Sequence, residues 1–189
     1  MGVHDHKEAA AREVAQLSAG ILTVSDTRTE ETDESGKLLR ELLTGAGHRV
    51  EAYALVPDET EAIRRTVLQF AERVDFIVVN GGTGMTPRDV TIEACRPLFT
   101  KELEGFGELF RMLSYEEIGS AAVMSRAAAG ALGGAVLATC YLAALVSGHL
   151  QAWGGWEGTL PRLWPAALWM ALPFAASGAA SGWLWERLD

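Results

Sequence analysis

Phe76-Ile77-Val78-Val79-Asn80-Gly81-Gly82-Thr83-Gly84-Met85-Thr86-Pro87-Arg88-Asp89 is the stretch on which the fold turns. Residues 76–79 form an unbroken apolar run rich in β-branched side chains, which reads as a strand buried on both faces, as in a parallel sheet covered by helices. At its carboxyl end come glycines, threonine hydroxyls, an arginine and an aspartate. Glycines let backbone N–H groups approach an anion closely, and a following helix N-terminus favours negative charge. No Lys-Ser or Lys-Thr closes the loop, and Gly-Gly-Thr-Gly lacks the G-x-G-x-x-G spacing, so it is neither a P-loop nor a dinucleotide fingerprint. The reading is a cradle for a phosphorylated small molecule.

Upstream, residues 21–24 read as a buried strand and 35–46 as a helix with Leu38, Leu39, Leu42, Leu43 and Ala46 on one face, Ser35 capping its start and Gly47 its end. A second strand at 49–56 leads to a helix over 60–73 that buries Ala62, Ile63, Val67, Phe70 and Ala71. This order predicts an α/β three-layer sandwich, its mostly parallel sheet covered by helices on both faces. Ligands on such sheets lie beyond the strands' carboxyl ends, where Ser25-Asp26, Pro57-Asp58 and Gly81-Gly82 all fall. Downstream the pattern predicts a helical turn or two at 90–96, a short helix at 109–115, a helix over 120–129 and a new strand starting at Ala135-Val136-Leu137. The chain divides into a lead-in (1–16), a main domain (17–137) and an apolar segment (138–189).

The 189 residues carry a net charge of −9, which argues against a nucleic-acid surface. Cys95 and Cys140 are isolated, with no zinc spacing, and the N-terminus has no signal-peptide core, so the expected location is the cytoplasm. The His4-Asp5-His6 spacing reads as solvated tail, and Cys95 as core packing. Residues 127–148 and 163–185 contain no charged residue and are long enough to span a bilayer. A membrane hairpin is possible there but not favoured, because the first run begins within the predicted domain. A shift of reading frame after about Leu137 also accounts for the apolar tail.

GGTGMTPRD at 81–89 stands with SDTRTEETDESG at 25–36, GFGELFR at 105–111 and SRAAAG at 125–130. In order and spacing these four blocks resemble the MoaB/MogA family of molybdenum cofactor biosynthesis proteins. The resemblance spans roughly residues 18–137, a normal domain length. It departs at Glu104, where the family has proline, and after Leu137, where the family continues into Leu-Pro-Gly-Ser. It implies a homotrimeric molybdopterin adenylyltransferase that joins molybdopterin to ATP with Mg2+, releasing pyrophosphate. Asp89 and Asp58 match the family's functional aspartates and are the expected catalytic pair, holding Mg2+.

The expected ligand-binding set is Ser25, Asp26, Thr27, Gly81, Gly82, Thr83, Gly84, Thr86, Arg88, Glu108, Ser125 and Arg126. Plainer roles compete at several positions: helix caps for Asp89 and Asp58, a Ser/Thr or Asx turn for Ser25 and Asp26, and a local ion pair for Arg126. Two other functions stay open, a non-catalytic molybdopterin-binding or scaffold module and a membrane-tethered variant.

Overall fold

The computed structural model describes residues 16–140. Six strands form one sheet in the order β2-β1-β3-β6-β5-β4. They are β1 (Ser18–Val24), β2 (Arg49–Val56), β3 (Phe76–Asn80), β4 (Lys101–Glu102), β5 (Ala128–Leu132) and β6 (Ala135–Cys140). The helices are α1 (Glu34–Gly45), α2 (Thr60–Ala71), α3 (Thr91–Cys95) and α4 (Gly105–Ile118). β1, β2, β3 and β6 pair in parallel, while β5 runs against both β6 and β4.

The strands' alternation sorts the core into two layers. Ile21, Phe76, Val78 and Val136 meet Leu39 and Leu43 of α1 and Phe106 and Phe110 of α4 on one face. Leu22, Val24, Ile77, Val79 and Leu137 meet Ile63, Val67 and Phe70 of α2 and Ala94 and Cys95 of α3 on the other. The expected three-layer sandwich is thus the observed one. Cys95 is fully buried, and burial pushes its thiol up to about 12. The chain steps from β1 outward to β2, then back past β1 to β3. This reversal puts a topological switch point between the carboxyl ends of β1 and β3.

Several local expectations need correction. Residues 120–129 are not a helix: a 3-10 segment (Gly119–Met124) gives way to β5. Alanine favours helix in isolation, but Ala128 and Ala129 are buried in the sheet, and a Cβ on Gly130 would lie 2.4 Å from the Phe99 ring. Asp33, not Ser35, caps α1, accepting from the Gly36 amide at 3.0 Å. α2 ends two residues earlier than predicted, at Ala71, α4 is longer than 109–115, and the short edge strand β4 was unforeseen. At Glu104 the backbone holds φ −53°, within the range that proline would impose.

Among the described residues no helix is long and apolar enough to cross a membrane. The described part of the 127–148 run forms β5 and β6, with β6 paired to β3. The rest of that run, all of 163–185, and His4 and His6 lie outside the described residues.

Candidate functional site

The loop after β3 is built from its carbonyls outward. Gly81 O accepts from Thr91 Oγ1 at 2.9 Å, Gly82 O from Thr91 N at 3.0 Å, and Thr83 O from Arg126 Nε at 3.0 Å. In a trans peptide the N–H points opposite to the preceding carbonyl, so anchoring these oxygens turns the amides of Gly82, Thr83 and Gly84 to the other side. The Asp89 carboxylate lies against Gly84, whose amide helps to hold its proton affinity low. The amides of Gly82 and Thr83 meet no acceptor among the described residues, with Thr83 buried and Gly82 half-buried, so the two consecutive N–H groups are free to take an anion if the loop opens to one.

Gly81 and Gly82 hold φ of +92° and +58°. A Cβ on Gly82 would lie 2.4 Å from Asp58 Oδ1, so this carboxylate lies directly against the loop backbone. Asp89 sits on Gly84 in the same way, where a Cβ would be 2.8 Å from Asp89 Oδ2. Neither aspartate is a helix cap: Val90 and Glu59 occupy the cap positions of α3 and α2. Asp89 Oδ2 instead accepts from Thr86 N at 2.7 Å and Thr86 Oγ1 at 2.6 Å, closing the loop on itself. Asp26, at the end of β1, accepts from the Asp58 amide at 3.1 Å and is paired with Arg88.

Three carboxylates therefore share one rim, and their proton affinities diverge. Burial, then the charges of Asp26 and Asp89, raise the Asp58 carboxyl above its ordinary value. The Arg88 hydrogen bond and the Asp58 amide lower Asp26. Burial alone would raise Asp89, but the Thr86 hydroxyl and amide, the Gly84 amide and Arg126 together hold it low.

Ionised Asp58 thus weakens the ligand-free fold above its folded pKa, an effect relieved as pH falls through that value. Asp26 and Asp89 stabilise the fold above their unfolded pKa and lose that contribution as pH falls through their folded values. Replacing Asp58 by asparagine is expected to raise the melting temperature of the ligand-free protein at pH 7 by about 2 °C. Scanning calorimetry checks this, and an unchanged or lower value removes the inferred repulsion.

The other expected site residues divide. Ser25 Oγ accepts from the Thr27 and Arg28 amides, both at 3.3 Å, the Ser/Thr-turn role. Arg126 takes the local ion pair with Glu93 and also donates to the carbonyls of Thr83 and Asp89, so it braces the loop from behind. Ser125 leads into β5 beside it. Glu108 stands exposed in the first turn of α4, and among the described residues no contact joins it to the loop. The sequence reading missed Thr91, which pins two loop carbonyls; a threonine opening a helix just after the loop was its only signal.

Mg2+ suits the chemistry of this donor set. It binds through one or two carboxylates with phosphate oxygens and water, which matches Asp58 and Asp89 on the rim. Among the described residues no three-residue His, Cys, Asp or Glu group is tight enough to hold a metal unaided.

A mostly parallel sheet covered by helices on both faces, with a glycine loop at its switch point and carboxylates around that loop, places the chain among the α/β sandwich domains. The sequence profile of the "Probable molybdopterin binding domain" matches residues 20–147, and the chain belongs to that family. It is 56% identical over 135 residues to Molybdenum cofactor biosynthesis protein B of Bacillus subtilis (strain 168), spanning 70% of this chain and 78% of that protein. A crystal structure of a Molybdenum cofactor biosynthesis protein B superposes with TM-score 0.65 at 53% identity, covering 67% of this chain and 80% of that one. The tungsten cofactor synthesizing protein MoaB from Pyrococcus furiosus gives TM-score 0.60 at 39% identity, covering 66% and 81%.

Proposed function

We propose that the chain acts in molybdenum cofactor biosynthesis as a molybdopterin adenylyltransferase. An oxygen of the molybdopterin phosphate attacks the α-phosphorus of ATP, a new P–O–P link forms, and pyrophosphate leaves. The observation that carries this reading is the pair of uncommitted Gly82 and Thr83 amides, set between Asp58 and Asp89. Phosphoryl-type transfer depends mainly on positioning and charge neutralisation, so amide donors and metal-holding carboxylates are the parts it needs. Bound Mg2+ would supply the charge neutralisation between the phosphates. Arg88, exposed and paired with Asp26, is within the same rim to meet a phosphate.

The test is pyrophosphate release by the full chain given molybdopterin, ATP and Mg2+. Turnover that requires all three is the expected result; release without the pterin points to another acceptor, and no release refutes the activity. The family resemblance implies a cytoplasmic homotrimer, and the exposed Met112, Tyr115, Val123 and Met124 along α4 and the 3-10 segment after it form an apolar surface that a subunit contact would cover. The mass of the same preparation by light scattering checks its assembly. A specific observation favours a second reading, a non-catalytic molybdopterin-binding module: the Asp89 carboxylate is already occupied in bracing its own loop. Under that reading molybdopterin binds and ATP is not consumed.

A further inference from the structure

Directly beneath the loop, on the α1/α4 face of the sheet, lies a buried polar chain that none of the roles above uses. The Asp33 carboxylate, wholly buried, accepts from Gly36 N at 3.0 Å through Oδ1, and from Thr23 Oγ1 at 2.5 Å and Tyr53 OH at 2.9 Å through Oδ2. Arg28 Nη1 lies 3.5 Å from Asp33 Oδ1. Burial first, and Asp33 next, push the Tyr53 hydroxyl up to about 12, so it remains a donor.

Thr23 has one hydrogen, and Asp33 takes it. Thr23 Oγ1 can then only accept from its other neighbour, Asn80 Nδ2, at 2.8 Å. This fixes the Asn80 amide, since turning it over would set its oxygen against the Thr23 lone pairs. Asn80 Oδ1 is thereby directed away from β1 at the last residue of β3. It is fully buried and, among the described residues, has no hydrogen-bond partner; Thr83 Oγ1, three residues on, is in the same condition.

A buried acceptor without a donor is costly, and native chains rarely keep one without a use. A phosphate offers only further acceptors to a carbonyl oxygen, whereas a heterocycle offers N–H groups. We propose that Asn80 Oδ1, oriented through Thr23 and Asp33, reads the ligand's heterocycle by accepting a hydrogen bond from a ring or exocyclic N–H, with the Thr83 hydroxyl as a second polar group at that subsite. Both atoms are shielded from water in the free chain, so whatever covers them must move for the ring to reach them. The same N–H chemistry is carried by the pterin and by adenine. This inference rests on the proposed substrates but not on turnover.

The test is equilibrium binding of the full chain to three probes: molybdopterin, ATP and pyrophosphate. Asn80→Ala is expected to weaken one ring-bearing probe by about tenfold or more, leaving pyrophosphate within about twofold. Whichever probe weakens identifies the ring. Asp33→Asn provides a second variant that retains a good helix cap. Its Oδ1 stays with Gly36, so its Nδ2 faces Thr23; the Thr23 hydrogen turns to Asn80, and the reversed Asn80 amide presents a donor instead of an acceptor. The same selective loss is expected, and it decides the matter if circular dichroism finds Asn80→Ala unfolded.

Equal losses for all three probes, unchanged affinities, or no binding of either ring probe by the parent chain would overturn the proposal. Selective loss in a protein that does not release pyrophosphate upholds the subsite and refutes the transferase. Turnover with unselective variants does the reverse.

Discussion

Asp89→Asn is expected to lower pyrophosphate release by about 10²–10³-fold while the protein stays folded. Asparagine keeps a carbonyl oxygen for the two Thr86 donors, so the loop remains closed while the negative charge and one acceptor oxygen disappear. Asp89→Ala removes the charge and both oxygens. The comparison separates the two roles the geometry allows. Equal, large losses in both variants assign the effect to the ionised carboxylate. A normal rate in Asp89→Asn with a loss only in Asp89→Ala would make Asp89 a positioning residue and would favour the non-catalytic reading of its carboxylate.

The second large effect is structural. Gly81→Ala is expected to destabilise the fold by about 3 kcal/mol or more, read from the urea midpoint. Gly81 holds φ +92°, and a Cβ there would sit 2.2 Å from the Val24 carbonyl oxygen. That oxygen belongs to the backbone of β1, which is locked between β2 and β3, so the clash has no flexible side chain to relieve it. Gly47 is the control. It has φ +89° but nothing within 4 Å of its missing Cβ, and Gly47→Ala is expected to cost only about 1 kcal/mol. Similar losses at both positions would mean that dihedral strain alone accounts for Gly81, and that the close approach to β1 contributes nothing.

The buried strands were legible because β1 and β3 have no polar face to obscure their apolar runs. The same logic failed at β5, whose Ala-Ala-Gly-Ala has the composition of a helix and becomes a strand only through its partners β4 and β6. The loop's glycines and flanking aspartates were readable because their chemistry is local. What holds them was not. Arg126 reaches the Thr83 carbonyl across 43 positions, and Asn80 meets Thr23 across 57. No spacing rule connects residues so far apart. The choice between Asp33 and Ser35 as the α1 cap also depended on a distant partner: Ser35 is engaged by Arg28, and Asp33 by three secondary elements at once.

Because Thr91 and Arg126 tie down the carbonyls of Gly81, Gly82 and Thr83, the conformational entropy of this turn is lost when the chain folds, not when an anion arrives. Binding there carries little ordering cost, so a small phosphate fragment should already realise most of the affinity the turn can give. Discrimination between larger molecules then falls to whatever reads the remainder of the ligand.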